Sequence, residues 1–215
     1  MRPFFIKITL TVAIALSITV VNAQTLEESL VPAFQQIDTS KTMGGMMSAA
    51  AKLDLITNKF PNEYASNYYS AYAKAMISYV EKDAKRRDLF LDMADKFFLK
   101  AQQIKPNDQE TYILAALLAN ARLSVDGGSR WKKFGEIFDK NLNAAKEINP
   151  NNPRIYHLKG VALFFTPKMF GGGVKNASEQ LEKASLLFSS QDSSSILIPH
   201  WGEKRNAEFM AKCDE

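Results

Sequence analysis

Residues 94–106, Ala-Asp-Lys-Phe-Phe-Leu-Lys-Ala-Gln-Gln-Ile-Lys-Pro, contain the spacing that decides the fold. Ala94, Phe98 and Ala101 are separated by four and then three positions, which places the three side chains on one face of a helix. Pro106 follows five residues later, where its ring and missing N–H end the helix. The stretch therefore predicts an amphipathic helix with a fixed end.

The same spacing recurs further along the chain. Phe138, Leu142 and Ala145 repeat it and are followed by Pro150, and residues 177–184 contain the trio a third time without the closing proline. A repeat at this period is typical of stacked helical hairpins, which usually bind partners rather than catalyse reactions.

The rest of the chain after residue 23 also has helical periodicity, and no stretch of alternating β-branched residues indicates a strand. We therefore expect an all-α fold, with loops at residues 81–88, 125–130 and 166–173. The predicted helices span residues 25–38, 46–58, 62–80, 89–104, 111–124, 131–148, 154–165, 174–188 and 203–212.

The hairpins resemble tetratricopeptide repeats. That family places an aromatic residue four positions before a small residue in the first helix, as Tyr112 and Ala116 do, and again Tyr156 and Gly160. The pattern of residues 94–106 matches its second helix. The resemblance implies a short right-handed superhelix of antiparallel hairpins with one concave face.

The period departs from the family. The distance from Tyr112 to Tyr156 is 44 residues, against about 34 in the standard repeat, and we place the excess in the loops between paired helices. The predicted organisation is a signal peptide, a degenerate repeat, the repeats themselves, and a polar linker with a C-terminal capping helix. These segments cover residues 1–23, 24–61, 62–188 and 189–215.

The first 23 residues read as a cleaved secretory signal peptide. Arg2 and Lys7 precede an uncharged apolar run, and Val21-Asn22-Ala23 is a small-residue cleavage pattern. The mature chain would hold 25 basic and 23 acidic residues, a net charge of +2. This balance does not favour nucleic acid as a partner. We expect a periplasmic or secreted protein with no stable membrane span after cleavage.

The main functional hypothesis is a non-catalytic interaction or scaffold module that binds another protein or a peptide. In a repeat of this kind, first-helix side chains one turn from the core face the concave groove. The predicted groove residues are Ser70, Lys74, Ile113, Leu117, Asn120, Arg154, His157, Val161 and Phe164.

The alternative hypothesis is a small-ligand-binding accessory component of an envelope transport system. The tyrosine-rich helix at residues 62–80 and the pair Phe164-Phe165 would line an apolar pocket. His157 and His200 are the only histidines and are 43 residues apart, which does not match a zinc ligand set. The sequence therefore nominates no catalytic residue, no cofactor and no metal site.

Overall fold

The computed structural model describes residues 24–214, and every regular element in that range is helical. The prediction of an all-α fold is confirmed, and the predicted signal peptide lies outside the described residues. The helices are α1 (Leu26–Thr39), α2 (Met43–Lys59), α3 (Tyr64–Val80), α4 (Ala84–Ile104), α5 (Gln109–Val125), α6 (Gly127–Ile148), α7 (Pro153–Phe165), α8 (Val174–Phe188) and α9 (Glu203–Cys213). A 3₁₀ turn, Lys168–Phe170, separates α7 from α8.

Three hairpins form the centre of the fold, because α3 packs on α4, α5 on α6 and α7 on α8. The first helices also contact one another in chain order, α3 with α5 and α5 with α7. The second-helix residues Ala94, Leu142 and Leu181 are buried, as their spacing predicts. Gly160 on α7 allows close approach to α8, since a Cβ at this position would lie 2.7 Å from Leu181 Cγ.

Two of the predicted loops are much shorter in the structure. Helix α4 begins at Ala84 and α6 at Gly127, so most of residues 81–88 and 125–130 are helical. The reason is capping: the Asp83 carboxylate accepts from the Arg86 backbone N–H, and Asp126 does the same for Ser129. The long period of 44 residues therefore lies mainly in long second helices, of 21 and 22 residues.

The N-terminal helices cover α3. Helices α1 and α2 pack on each other and on α3, which also contacts α4 and α5. Every residue of α3 from Tyr64 to Ser78 is buried as a result. These neighbours explain the mixture of aromatic and small residues along α3, because other helices approach it from several sides.

The chain after α8 returns to the middle of the molecule. Residues 189–202, which we call the C-terminal segment, contain no helix or strand, and they place Trp201 in the core. Gly202 has a φ of +110° at the turn into α9, a conformation that favours glycine. Helix α9 then packs on α8. Within residues 24–214, no helix is both long and apolar enough to span a bilayer.

Candidate functional site

The predicted groove residues lie mostly in the interior. The structure places nearly all of them on the inner sides of α3, α5 and α7, but a partner could not reach most of them. Those that are buried are Ser70, Lys74, Ile113, Leu117, Arg154 and His157. Asn120, Val161 and Phe164 are partly exposed. The reason is that α1, α2 and the C-terminal segment occupy the space that an open groove would offer.

Arg154 shows why this surface is closed. Its Nε donates to Glu110 Oε2 at 3.0 Å and its Nη2 to Glu110 Oε1 at 2.5 Å, with both side chains buried. Its Nη1 donates to the side chain of Gln191 and to the backbone carbonyl of Trp201. Arg154 therefore connects α7 to α5 and to the C-terminal segment, and each of its three side-chain nitrogens has a partner within the protein.

Trp201 fills the centre of the predicted groove and is 2% exposed. Its indole N–H donates to Tyr68 Oη at 2.7 Å. Its ring lies 5.0 Å from the ring of Tyr72 and 6.2 Å from that of His157, centroid to centroid. The protein's own tryptophan thus occupies the position where a ligand of the groove would bind.

His157 and Lys74 have structural partners as well. The amide N–H groups of Asn206 donate to α8, so its Oδ1 accepts from His157 Nδ1 at 3.1 Å. Burial lowers the pKa of His157 to about 4, so the ring is neutral at physiological pH. Lys74 pairs with Asp54 of α2, and burial lowers its pKa from the ordinary value.

Two clefts border the C-terminal segment. The larger, of about 450 Å³, has a polar lining rich in carboxamides, including Gln109, Asn152 and Gln191. The smaller, of about 360 Å³, lies between α1 and the segment and is lined by Val31, Phe34, Ile196 and His200, among others. The His200 ring lies edge-on to Phe34 at 5.6 Å. Its Nδ1 lies 3.1 Å from the backbone carbonyl oxygen of Ile198.

Of the tyrosine-rich helix, Tyr64 lines the larger cleft, and the other tyrosines line neither. Tyr68, Tyr69 and Tyr72 are core residues, and burial raises the pKa of Tyr72 to about 12. The hydroxyls of Tyr69 and Tyr72 have no hydrogen-bond partner among the described residues. The tyrosines suggested as pocket walls are therefore packing residues around Phe34 and Trp201.

An aromatic cluster remains on the outside, at the far end of the last hairpin. Phe164 and Phe165 at the end of α7 meet Phe209 of α9, with ring centroids 5.2 to 5.9 Å apart and near-perpendicular planes. Met169 and Phe170 follow in the 3₁₀ turn. We call these five residues the aromatic patch. The Phe164-Phe165 pair is visible in the sequence, but Phe209 joins it only through the packing of α9 on α8.

Three of the five side chains of the aromatic patch are strongly exposed. Phe165 is 71% accessible, Phe170 72% and Met169 83%, the last being the most exposed large apolar side chain in residues 24–214. Contiguous apolar patches on soluble proteins often mark binding sites, and Met169 and Phe170 lie only four and five residues after Phe165 in the chain. Across residues 24–214, no group of three histidine, cysteine, aspartate or glutamate side chains is arranged to hold a metal.

Comparisons with known proteins give a likeness to a solved structure. No protein-family model matches the chain, and the search of curated proteins gives no match either. The structure is similar to that of the HusA haemophore from Porphyromonas gingivalis, with a TM-score of 0.75 and 26% sequence identity. The match covers 88% of this chain and 92% of the haemophore, so it extends over the hairpins and both sets of flanking helices.

Proposed function

We propose that this protein binds a small, planar, largely apolar ligand of the haem type. The observation that supports the proposal is the likeness to the HusA haemophore over nearly the full length of both chains. Because the match includes more than the repeated hairpins, it favours the alternative drawn from the sequence, a ligand-binding accessory protein, over a scaffold. An exported location, as the signal-peptide pattern predicts, suits a protein that collects such a ligand outside the cell.

The covered groove also favours a small ligand over an extended peptide. An extended peptide would need an open concave face, and the residues predicted to line that face are covered by Trp201 and the N-terminal helices. A small ligand needs only a local cleft with a few polar groups to orient it, and two clefts border the C-terminal segment. Membership of the tetratricopeptide family, the right-handed superhelix and the absence of catalysis stay predictions from the sequence.

Titration of residues 24–214 with haemin tests the proposal. The chain has two tryptophans, Trp131 and Trp201, so binding can be followed by fluorescence quenching and independently by the haem Soret band. We expect both signals to saturate at one fixed stoichiometry, with a Kd on the order of micromolar or tighter, equivalent to about 8 kcal/mol. A small globular protein without a haem site provides the control.

Two outcomes would contradict the proposal. One is the absence of any spectral change when haemin is in excess over the protein. The other is a change that grows linearly with haemin and resembles that of the control protein, since this behaviour indicates non-specific adsorption.

A further inference from the structure

The part of the surface that best fits such a ligand is the aromatic patch. We propose that Phe165, Met169, Phe170 and Phe209 form the contact surface for the face of a tetrapyrrole, and that neighbouring lysines bind its carboxylates. This inference rests on the proposed function and goes further by assigning its site. The two clefts beside the C-terminal segment are the competing locations.

The backbone of the loop fixes the exposure of Met169 and Phe170. The Gly173 N–H donates to the carbonyl of Leu163 at 2.9 Å, and the Gly172 N–H donates to that of Pro167 at 3.2 Å. A Cβ at Gly172 would overlap the Thr166 carbonyl oxygen at 2.0 Å, so only glycine fits at this position. The loop is therefore folded back on the end of α7, and in this folded form Met169 and Phe170 remain in solvent.

The chemistry of the patch matches a flat aromatic ligand. Phenylalanine rings interact with other π-systems by offset stacking or edge-to-face contact, and the methionine thioether is a polarisable neighbour for aromatic rings. The rings of Phe164, Phe165 and Phe209 already hold one another in place. A planar ligand would therefore meet the rings of Phe165 and Phe209 already ordered, which lowers the entropy cost of binding at these two positions.

The charge around the patch suits a ligand with carboxylates. Lys212 Nζ lies 4.8 Å from the centre of the Phe209 ring. Lys168 belongs to the same 3₁₀ turn as Met169, and residues 166–175 contain two lysines and no acidic residue. Haem-type tetrapyrroles have two propionate groups at one edge, and exposed ammonium groups attract these carboxylates without specific geometry.

The two clefts fit this ligand less well. The larger cleft has a lining dominated by carboxamides and charged groups, which suits neither face of a tetrapyrrole. The smaller cleft, of about 360 Å³, is near the lower end of the roughly 300–1,000 Å³ range of small-molecule sites. It could hold a haem edge beside His200, so His200 must be included in the test.

The test compares haemin affinity among four variants. Phe165→Ala with Phe170→Ala removes two exposed rings, and Lys168→Ala with Lys212→Ala removes two cations. Trp131→Ala is the matched control, because Trp131 is an exposed aromatic residue, 65% accessible, on α6. His200→Ala tests the smaller cleft. All the substituted side chains are at least partly exposed, and circular dichroism confirms that each variant is folded.

We expect the double phenylalanine variant to raise the Kd for haemin about tenfold or more. The double lysine variant should weaken binding by a smaller factor and reduce its dependence on salt. Trp131→Ala and His200→Ala should bind as the wild type does. Unchanged affinity in the phenylalanine variant, with or without a loss in His200→Ala, would overturn this site and leave the proposed function standing. A wild-type protein that does not bind haemin would overturn both.

Discussion

At the scale of single residues, the most consequential finding is that Arg154 has a structural role. The sequence places it on the face predicted to bind a partner, but it is buried and paired with Glu110 through two hydrogen bonds. Helical periodicity places Arg154 and His157 on one face of α7. It cannot show that Gln191 and Trp201, 37 and 47 residues later, close that face.

Replacing Arg154 should therefore destabilise the fold. Arg154→Ala leaves the Glu110 carboxylate buried without its cation, which costs about 3–5 kcal/mol when a buried pair is broken. Urea unfolding followed by circular dichroism measures the loss. The matched control is Lys159→Ala, which breaks the exposed pair with Asp139 and should cost less than about 1 kcal/mol. Equal stability of the two variants would show that the buried pair does not hold the fold.

His157 should make stability fall in mild acid. Its folded pKa is about 4, below the value of about 6.5 for an unfolded chain. Between these values the unfolded state binds more protons, so stability is retained above pH 6.5 and decreases by up to about 1.4 kcal/mol per pH unit as the pH falls toward 4. Urea unfolding at intervals across this range measures the slope. In His157→Gln the slope should become flatter, and an unchanged slope would assign the effect to other groups.

At the scale of elements, the phase of the helices could be predicted, but the starts of α4 and α6, at Ala84 and Gly127, could not. The four-and-three spacing fixes which residues face the core, and Ala94, Leu142 and Leu181 are buried accordingly. In the sequence, the charged residues in the first turns of α4 and α6 are typical of loops. In the structure, Asp88 of α4 accepts two hydrogen bonds from Arg130 of α6. This contact holds the pKa of the Asp88 carboxyl below its usual value. Such pairs between elements are not visible in a local pattern.

The close contact between α7 and α8 depends on one residue, Gly160. Gly160→Ala would place a Cβ within 2.8 Å of two Leu181 carbons and 3.2 Å of the Ala177 carbonyl oxygen. We expect a loss of about 1–3 kcal/mol from overpacking. Gly135→Ala on α6 is the control, because its Cβ would meet nothing within 4 Å, and it should gain roughly 0.5–1 kcal/mol from helix propensity. Thermal unfolding of the two variants measures the change in stability. A Gly160→Ala variant more stable than the wild type would contradict the close packing of α7 on α8.

At the scale of the whole molecule, the C-terminal segment covers a face that the repeats alone would leave open. The sequence predicts an array of hairpins with an open face and a capping helix at its end. The structure confirms α9 and its helical bounds within one residue, while the segment before it places Trp201 against α3 and α7. This return of the chain could not be predicted because residues 189–195 are polar and low in complexity, which is typical of a linker.

Trp201 should be essential for stability, unlike the other tryptophan. Trp201→Ala removes a buried ring and leaves Tyr68 Oη without the indole donor. We expect a loss of about 3–5 kcal/mol. Trp131→Ala, on the exposed side of α6, should change stability by no more than about 0.5 kcal/mol. Chemical unfolding measures both, and a small effect at Trp201 would mean that the segment is held in place by other contacts.

The candidate ligand site could be predicted only in part, because it too depends on packing between elements that are far apart in the sequence. Phe164-Phe165 is an aromatic pair in the sequence, where it predicts a pocket wall. The exposure of Phe165 and its contact with Phe209 depend on where α7 ends and on how α9 packs across α8. The tyrosines of α3 also form an aromatic-rich stretch of sequence, but they are buried because four other helices surround α3.

The most direct test of ligand binding at the aromatic patch uses the methionine methyl groups as reporters. Gallium(III) protoporphyrin, a diamagnetic analogue of haem, is titrated into protein with ¹³C-labelled methionine methyls, and the shifts are followed by NMR. We expect the Met169 signal, from a side chain 83% exposed beside Phe170, to move and saturate. Met47, exposed on α2 at 42%, should not move. A shift at Met47 without one at Met169, or no saturable shift at any methionine, would contradict the account.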